Sequence, residues 1–328
     1  MVTQKRQFDD DIAQAAWLYY VGNLSQQDIS ARLGISRFKV LRMLAEARDL
    51  GMVRISVEHR TSHTLALADQ LVETFDLQEV QVAPVEAQGS SEALARDAVA
   101  ILAAGYLARI CAMDDPRIIG VGWGRTLSTM ADLLTGPKNS KLTFASLMGS
   151  VTHASQTAPG NVCVRMAEQT GGRAILLPAP FVTDTAQACE GILAQRLVRQ
   201  AMDVARCADH TFMSVGECRE GAILFDSEIF SPEQIQQLRD ADVVGDCCGV
   251  FYKANGSVAD IELNRCTPCV RPADMAQADT VLLAGGVGKL AATLAVLRAG
   301  FIKRLMVDEG LARALLTASG GLGATARA

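Results

Sequence analysis

The sequence predicts a small N-terminal helical module followed by a larger, mostly parallel α/β domain. Residues 25–50 carry two short helical patterns separated by a tight turn, and after residue 64 short β-rich runs alternate with helical stretches. Alanine, leucine, valine and glycine dominate the 328 residues, and only 5% are aromatic, which suits packed α/β layers. A polar junction near residue 60 predicts a boundary between domains 1–60 and 61–328.

The N-terminal module is predicted to contain three helices. Apolar residues at helical spacing indicate a first helix over Phe8–Tyr20. Ser25 and Asp28 form a capping-box pattern that opens a second helix, and Gly34 follows it as the residue that can turn the chain. Ser36 caps a third helix, whose buried stripe is predicted at Val40, Met43, Leu44 and Ala47.

The outer surface of the third helix is basic, although the chain as a whole has a net charge of −5. Residues 30–60 hold seven Lys or Arg against three Asp or Glu. A second helix with arginines at its start suits the major groove, so the pair is predicted to be a helix-turn-helix that binds double-stranded DNA. The alternative is an ordinary helical hairpin with a solvated basic face. The predicted contact residues are Ser25, Gln26, Ser36, Arg37, Phe38, Lys39, Leu41 and Arg42.

Residues 52–59 alternate between apolar and polar side chains, with Val53, Ile55 and Val57 on one side. This period predicts a short strand. The strand is either a wing beside the DNA-reading helix or a simple linker between the two domains.

The larger domain alternates strands and helices as a parallel sheet covered on both faces requires. Apolar runs predict strands at Glu79–Ala83, Arg117–Val121, Leu142–Leu147, Ala174–Leu177, Thr211–Val215, Val281–Ala284 and Phe301–Val307. Helical patterns lie between these strands at 65–75, 91–111, 126–134, 162–169, 185–202 and 289–298, and a final helix begins near 309.

Four strand-to-helix turns are candidates for a ligand site, because such turns meet at the carboxyl edge of an open α/β sheet. Helix N-termini there offer free backbone N–H groups to phosphate or sugar oxygens. Each turn alone could be structural, since glycine often serves tight packing. Together their small residues, cations and carboxylates favour a polyhydroxylated or phosphorylated ligand. The candidates are Gly124, Arg125, Thr126, Gly149, Ser150, Lys289, Asp308 and Glu309.

The cysteines offer a weaker hypothesis. Cys266 and Cys269 form a CxxC, and Cys247 and Cys248 lie upstream, so a zinc site or a redox switch can be imagined. Adjacent cysteines of a strand point to opposite faces, which argues against a shared metal. We therefore expect no metal site, and nine scattered cysteines fit reduced, mostly buried thiols.

Several further classes of site and location are disfavoured by the sequence. His153 and His210 have no metal-spaced partner, and no G-x-G-x-x-G follows the first strand, so neither a metal nor a nicotinamide cofactor is expected. No apolar run approaches the ~18 residues of a membrane helix, and the polar N-terminus does not resemble a signal peptide. A cytoplasmic protein without membrane association is predicted.

Five segments resemble, in the same order along the chain, the SorC-type sugar-binding transcriptional regulators of bacteria. The resemblance spans nearly the whole sequence. The segments are LSQQDISARLGISRFKVLRMLAEARDLGMVRI, VGWGRTL, LPAPFV, VGDCCGVFYKANG and AGGVGKLAATLAVLRAGFIKRLMVDEGLARALL. Two departures are Cys247-Cys248, where many members carry Asp-Ile or Asn-Ile, and Leu41, where small polar residues are common.

The resemblance implies an operon regulator of carbohydrate or polyol catabolism whose hold on operator DNA changes when a sugar, a sugar alcohol or their phosphate binds. It also implies an effector domain similar to sugar-phosphate isomerases, without their catalysis, and a homotetramer built as a dimer of dimers. The resemblance adds Asp246 to the effector residues, which are then Gly124, Arg125, Thr126, Gly149, Ser150, Asp246, Lys289, Asp308 and Glu309.

The alternative function is a sugar-phosphate isomerase or deaminase that carries an appended DNA-binding module. An enzyme needs an acid–base pair near the substrate carbon, and Asp246 with Asp308 or Glu309 could supply one. The same carboxylates would equally anchor ligand hydroxyls. The N-terminal module favours the regulator, because an enzyme gains nothing evident from it.

Overall fold

The computed structural model describes residues 2–53, 62–85, 91–136, 138–151, 158–218, 222, 229–275 and 277–323. The chain divides into two compact units, residues 1–58 and 59–328. Most of the strand predicted over residues 52–59 lies outside the described residues.

The described part of the first unit holds the three predicted helices, which are α1 (Val2–Tyr20), α2 (Gln26–Leu33) and α3 (Arg37–Asp49). Ser25 caps α2 in a reciprocal capping box with Asp28. Gly34 ends α2 with a φ of 65°, a left-handed conformation that favours glycine. The Ser36 hydroxyl accepts a hydrogen bond from the Lys39 N–H and caps α3. The three helices share a core that includes Ile12, Ala15, Ile29, Val40, Met43, Leu44 and Ala47.

The second unit is organised on a mostly parallel sheet, which confirms the predicted fold class. The strands are β1 (Glu79–Ala83), β2 (Arg117–Val121), β3 (Leu142–Ser146), β4 (Arg173–Ile175), β5 (His210–Glu217), β6 (Val243–Cys247), β7 (Val250–Lys253), β8 (Asp279–Ala284) and β9 (Arg304–Asp308). The order β1-β9-β8-β5-β2-β3-β4 is parallel throughout. β6 pairs antiparallel with both β5 and β7.

Helices cover both faces of this sheet. They are α4 (Ser62–Phe75), α5 (Glu92–Cys111), α6 (Arg125–Leu133), α7 (Pro159–Thr170), α8 (Ala186–Leu193), α9 (Arg196–Arg206), α10 (Pro232–Asp240), α11 (Leu263–Cys266), α12 (Leu290–Arg298) and α13 (Glu309–Gly323). Neighbouring residues of β5 face opposite cores, with Phe212 in one and Met213 in the other. Within the described ranges, no helix is both long and apolar enough to cross a membrane.

Two elements of the second unit differ from the prediction. The helix predicted over 185–202 is interrupted, because Gln195 adopts an extended backbone between α8 and α9. The β6–β7 hairpin was not predicted. Its turn places Cys248 at a φ of 51°, where turn rules lead one to expect glycine or asparagine.

Gly245 gives a test of the packing between β6 and α12. A Cβ atom at this buried position would lie 2.3 Å from the Ala292 Cβ and 2.8 Å from the Gly216 carbonyl oxygen. Gly245→Ala is expected to lower the free energy of unfolding by about 1–3 kcal/mol through overpacking, measured by urea denaturation. Gly191→Ala is the control, because nothing lies within 4 Å and α8 should be stabilised. Equal stability of the two variants would contradict the packing.

Candidate functional site

An open cavity lies at the carboxyl edge of the sheet, near the adjacent strands β2 and β5, where the direction in which successive strands are added reverses. From β2 the chain moves outward to β3 and β4, whereas from β5 it moves the opposite way to β8 and β9. Ligands of open α/β sheets bind at such a switch point. The cavity holds about 820 Å³ of space, including its open mouth, and it is lined by residues that follow β2, β5 and β8.

The cavity brings together five residues that the sequence analysis assigned to an effector site. They are Gly124, Arg125, Thr126, Asp246 and Lys289. Among the described lining residues the charges balance, with three cations and three carboxylates: Arg96, Arg125 and Lys289, and Glu92, Glu217 and Asp246. Such a wall can both donate to and accept from a ligand that carries several hydroxyl groups.

Asp246 is the most deeply buried carboxylate of this wall. Burial raises the pKa of Asp246 to about 6, although the Gly249 N–H donates to its Oδ2 at 3.2 Å and the Lys289 ammonium lies nearby. Burial also lowers the pKa of Lys289, and the carboxylates of Glu217 and Asp246 oppose that shift. The Lys289 Nζ donates to the Val215 carbonyl oxygen at 2.5 Å. The lysine is therefore held across the ends of β5 and β8.

The buried carboxyl of Asp246 predicts a dependence of stability on pH. Its folded pKa of about 6 lies above the ordinary value of 3.8, so the folded state holds more protons between these values. The protonated carboxyl therefore supports the fold at low pH, and this contribution is lost as the pH rises through about 6. Asp246→Asn cannot ionise, so its stability relative to wild type should rise by on the order of 2 kcal/mol between pH ~4 and ~7.

Urea denaturation of both proteins across this range measures the difference. Asp260→Asn is the control variant, because the side chain of Asp260 is fully exposed. A difference between wild type and Asp246→Asn that does not change with pH would contradict the buried, protonated carboxyl.

Four charged or hydroxyl-bearing residues of the described lining were not predicted from the sequence. Glu92 and Arg96 stand in the first turns of α5, and Ser214 and Glu217 end β5. The Arg96 Nε is buried without a hydrogen-bond partner among the described residues, and it lies 3.7 Å from the Oδ1 of Asp97 in an ion pair. The sequence feature that could have indicated Glu92 and Arg96 is the serine cap of α5 at Ser91, because α5 follows β1 as α6 follows β2.

Ser214 also explains the glycine of the β2–α6 turn. Its hydroxyl donates to the Trp123 carbonyl oxygen at 2.6 Å. A Cβ atom on Gly124 would lie 2.4 Å from the same hydroxyl, and the φ of 142° at Gly124 disfavours other residues. The glycine therefore allows β5 to approach the turn that carries Arg125.

Two predicted residues lie in a turn outside the described lining of the cavity. The Gly149 N–H donates to the Pro268 carbonyl oxygen at 2.9 Å, and a Cβ on Gly149 would lie 2.0 Å from the Pro180 carbonyl oxygen. The Ser150 N–H donates to the Ala179 carbonyl oxygen. The structure thus uses this turn for close backbone packing, and a direct effector contact there stays a prediction.

The carboxylates that follow β9 also lie outside the described lining. Asp308 is buried and accepts hydrogen bonds from the Gly286 N–H at 2.7 Å and the Leu311 N–H at 3.1 Å. It therefore holds the glycine turn before Lys289 and caps α13. Glu309 accepts from Arg313 and lies 3.2 Å from the Nδ1 of His63. Their roles as ligand acceptors stay predictions.

The cysteines and histidines that were weighed as metal or redox sites are the remaining residues singled out from the sequence. The thiols of Cys247, Cys248, Cys266 and Cys269 are buried and form no disulfide bond. Within the described ranges, no group of three or more His, Cys, Asp or Glu side chains is placed to hold a metal ion. His210 is partly buried, and its Nδ1 lies 3.4 Å from the Oδ2 of Asp279. His153 lies outside the described residues.

The first unit presents a second candidate surface on α3. The predicted stripe of this helix is buried, so its outer face is free of the core of the unit. Arg37, Lys39 and Arg42 are exposed, and 79% of Phe38 and 50% of Leu41 are accessible to solvent. The Arg37 Nε donates to the Gln26 Oε1 at 3.4 Å, which joins the starts of α2 and α3. The arrangement has the geometry of a helix-turn-helix.

Comparisons with known proteins show the family of this chain. The family described as "Putative sugar-binding domain" matches residues 59–317. The erythritol catabolism regulatory protein EryD of Brucella abortus is 32% identical over 311 residues, which cover 94% of this chain and 97% of EryD.

Two further matches span both units. The deoxyribonucleoside regulator of Bacillus subtilis is 29% identical over 308 residues, which cover 92% of this chain and 96% of that protein. The full-length sorbitol operon regulator SorC of Klebsiella pneumoniae has a TM-score of 0.69 and 25% identity, over 94% of this chain and 99% of SorC. The chain therefore belongs to the SorC-type family of sugar-binding transcriptional regulators.

Proposed function

We propose that this protein binds operator DNA through residues 1–60 and regulates an operon for carbohydrate or polyol catabolism in response to an effector bound by residues 61–328. One observation carries the proposal. A capped helix-turn-helix with a basic outer face and a cavity with balanced charges occur in the same chain. The first is suited to a nucleic-acid duplex and the second to a small polar ligand.

The proposed effector is a sugar, a sugar alcohol or one of their phosphates. Ligand hydroxyls would donate to Asp246 and Glu217 and accept from Arg125 and Lys289, since carboxylates accept and cations donate. Arg96 and Arg125 could also hold a phosphate, so both forms of the ligand remain within the proposal.

The proposed DNA contacts lie at the start of α2 and along α3. In a helix-turn-helix the second helix enters the major groove, and its first residues reach base edges and phosphates. The contact residues are Ser25, Gln26, Ser36, Arg37, Phe38, Lys39, Leu41 and Arg42. The protein would act in the cytoplasm, on double-stranded operator DNA.

The alternative function is a sugar-phosphate isomerase or deaminase. Asp246 has a pKa near the range of a general acid or base, and this observation favours the alternative. Its carboxylate, however, accepts from the Gly249 N–H and lies near the Lys289 ammonium, an arrangement that suits ligand binding equally well. The relatives reported above are named as regulators, so we propose binding without catalysis.

We propose that the protein acts as a homotetramer built from two dimers on an inverted-repeat operator. A single helix-turn-helix contacts too few base pairs for genomic specificity, so paired subunits are needed. The tetramer itself is what the family resemblance implies, and for it light scattering at micromolar concentration should give a mass about four times that of the 34.9 kDa chain. A monomer, with and without DNA, would contradict the prediction.

Two measurements on the full chain test the proposed function. Selection from a random duplex pool should enrich one sequence. Differential scanning fluorimetry against free and phosphorylated sugars and polyols should show that at least one class raises the midpoint of unfolding. A pool without enrichment would contradict the DNA-binding role, and turnover of a stabilising compound would favour the enzyme.

A further inference from the structure

The outward face of α3 carries large apolar side chains at positions where a solvated helix usually carries charge. Phe38 is 79% exposed and Leu41 is 50% exposed. These two residues, with Arg42 and Ala45, have the spacing i, i+3, i+4 and i+7, so they share one face of the helix. We call this set the outer face of α3.

The fold of the first unit does not account for the outer face. The core of this unit takes its α3 residues from the opposite side, at Val40, Met43, Leu44 and Ala47. The Ser36 cap and the capping box at Ser25 fix the start of α3 and of α2 without using Phe38 or Leu41. The two exposed apolar side chains lie side by side on this face, so together they offer an apolar contact to another molecule.

The surrounding charges select the occupant. Arg37, Lys39 and Arg42 are exposed near the outer face, and Arg32 and Arg48 are exposed at the ends of α2 and α3. An anionic partner is complementary to this pattern. A DNA duplex supplies phosphates for the flanking cations and, in the floor of the major groove, the C5-methyl group of thymine as an apolar contact.

We propose that Phe38 and Leu41 read thymine methyl groups in the major groove of each operator half-site, next to a guanine read by Arg42. This inference rests on the proposed DNA binding and specifies its chemistry. Phe38 stands in the first turn of α3, where a groove-reading helix lies deepest, and Leu41 follows one turn later on the same side. Arg42 can then donate two hydrogen bonds to the O6 and N7 of guanine.

Replacement of thymine by deoxyuridine tests the proposal, because it removes only the methyl group. The probe is the duplex enriched from the random pool, made with deoxyuridine at one thymine of the half-site at a time. For wild-type protein, fluorescence anisotropy should show about a fourfold loss of affinity at one or two positions, the factor expected for one buried methyl group.

The variants assign the effect to residues. Phe38→Ala and Leu41→Ala should each bind one thymine duplex and its deoxyuridine counterpart equally well. Arg42→Ala should bind more weakly but keep the wild-type discrimination. All three positions are exposed, and circular dichroism with thermal unfolding verifies that the variants remain folded.

Each outcome separates this inference from the proposed function. An enriched duplex that wild type binds equally with thymine and deoxyuridine at every position overturns the inference and leaves DNA binding intact. Full discrimination by both alanine variants also overturns it. Loss of self-association in Phe38→Ala with unchanged DNA discrimination would assign the outer face to a second copy instead. Failure to enrich any duplex overturns both proposals.

Discussion

Lys289→Ala is expected to abolish the response of DNA binding to the effector while DNA affinity itself stays at the wild-type value. Lys289 lines the cavity, and its Nζ spans to the Val215 carbonyl oxygen at the end of β5. Its loss removes a donor from the ligand and removes the positive charge that lowers the pKa of Asp246. DNA affinity is unaffected because the proposed DNA contacts lie in the first unit.

A matched lysine provides the control for this variant. Lys138 also donates to backbone carbonyl oxygens, those of Glu168 and Gln169, but it does not belong to the described lining of the cavity. Lys138→Ala should bind the effector and respond as wild type does. Calorimetry with the effector found by thermal shift measures binding, and anisotropy with labelled duplex measures the response. A Lys289→Ala protein that binds and responds normally would remove Lys289 from the effector site.

Combined loss of Arg37 and Arg42 should weaken DNA binding more than any other double substitution on α3. A bidentate contact of Arg42 to a guanine is worth about 1–3 kcal/mol, so the double alanine variant should lose at least about fivefold in affinity from this contact alone, and the loss of the Arg37 contact adds to it if the two are independent. Arg199→Ala is the control, because Arg199 is an exposed arginine of α9 in the second unit and is not among the proposed DNA contacts. Unchanged affinity of the double variant would show that α3 does not read the duplex.

Salt dependence separates the two arginines. Loss of a phosphate contact reduces the magnitude of the slope of log affinity against log salt concentration by about one. Loss of a base contact instead changes the sequence preference. Arg37 already donates to Gln26, so it is held near the N-terminus of α2 in a position suited to a phosphate. We expect the single variant Arg37→Ala to reduce the slope and Arg42→Ala to relax specificity.

Much of the fold could be predicted because local signals and packing agree. The strands Glu79–Ala83 and Arg117–Val121 have the predicted bounds, since each is a short apolar run between turns. The helices of the first unit follow their caps at Ser25 and Ser36. In these segments the local preference and the buried face indicate the same structure.

The elements that could not be predicted depend on contacts between distant parts of the chain. β6 owes its existence to antiparallel pairing with β5, and its turn uses Cys248 in a left-handed conformation. The break between α8 and α9 at Gln195 could not be predicted, because the residues next to Gln195 are neither glycine nor proline. Both features are decided by tertiary packing, which overrides local propensity.

The candidate site shows the same division. Arg125 and Lys289 could be placed at the carboxyl edge because each follows a strand-to-helix turn with glycines. Asp308 has the same sequence context, but its carboxylate is occupied by the N–H groups of Gly286 and Leu311. Glu92 was missed because the start of α5 has a serine cap but no glycine, and only strand-to-helix turns with small residues were taken as ligand sites. Sequence identifies the edge of the sheet, whereas side-chain direction needs the structure.

The coupling between DNA and effector is the central claim, and one linkage measurement tests it most directly. The dissociation constant of the selected duplex is measured with and without saturating effector, and that of the effector with and without saturating duplex. Thermodynamic linkage requires that the two constants change by the same factor, which is typically about 5–150-fold for allosteric proteins. We expect equal factors well above one. An effector that binds in the cavity while both constants stay unchanged would contradict regulation through this site.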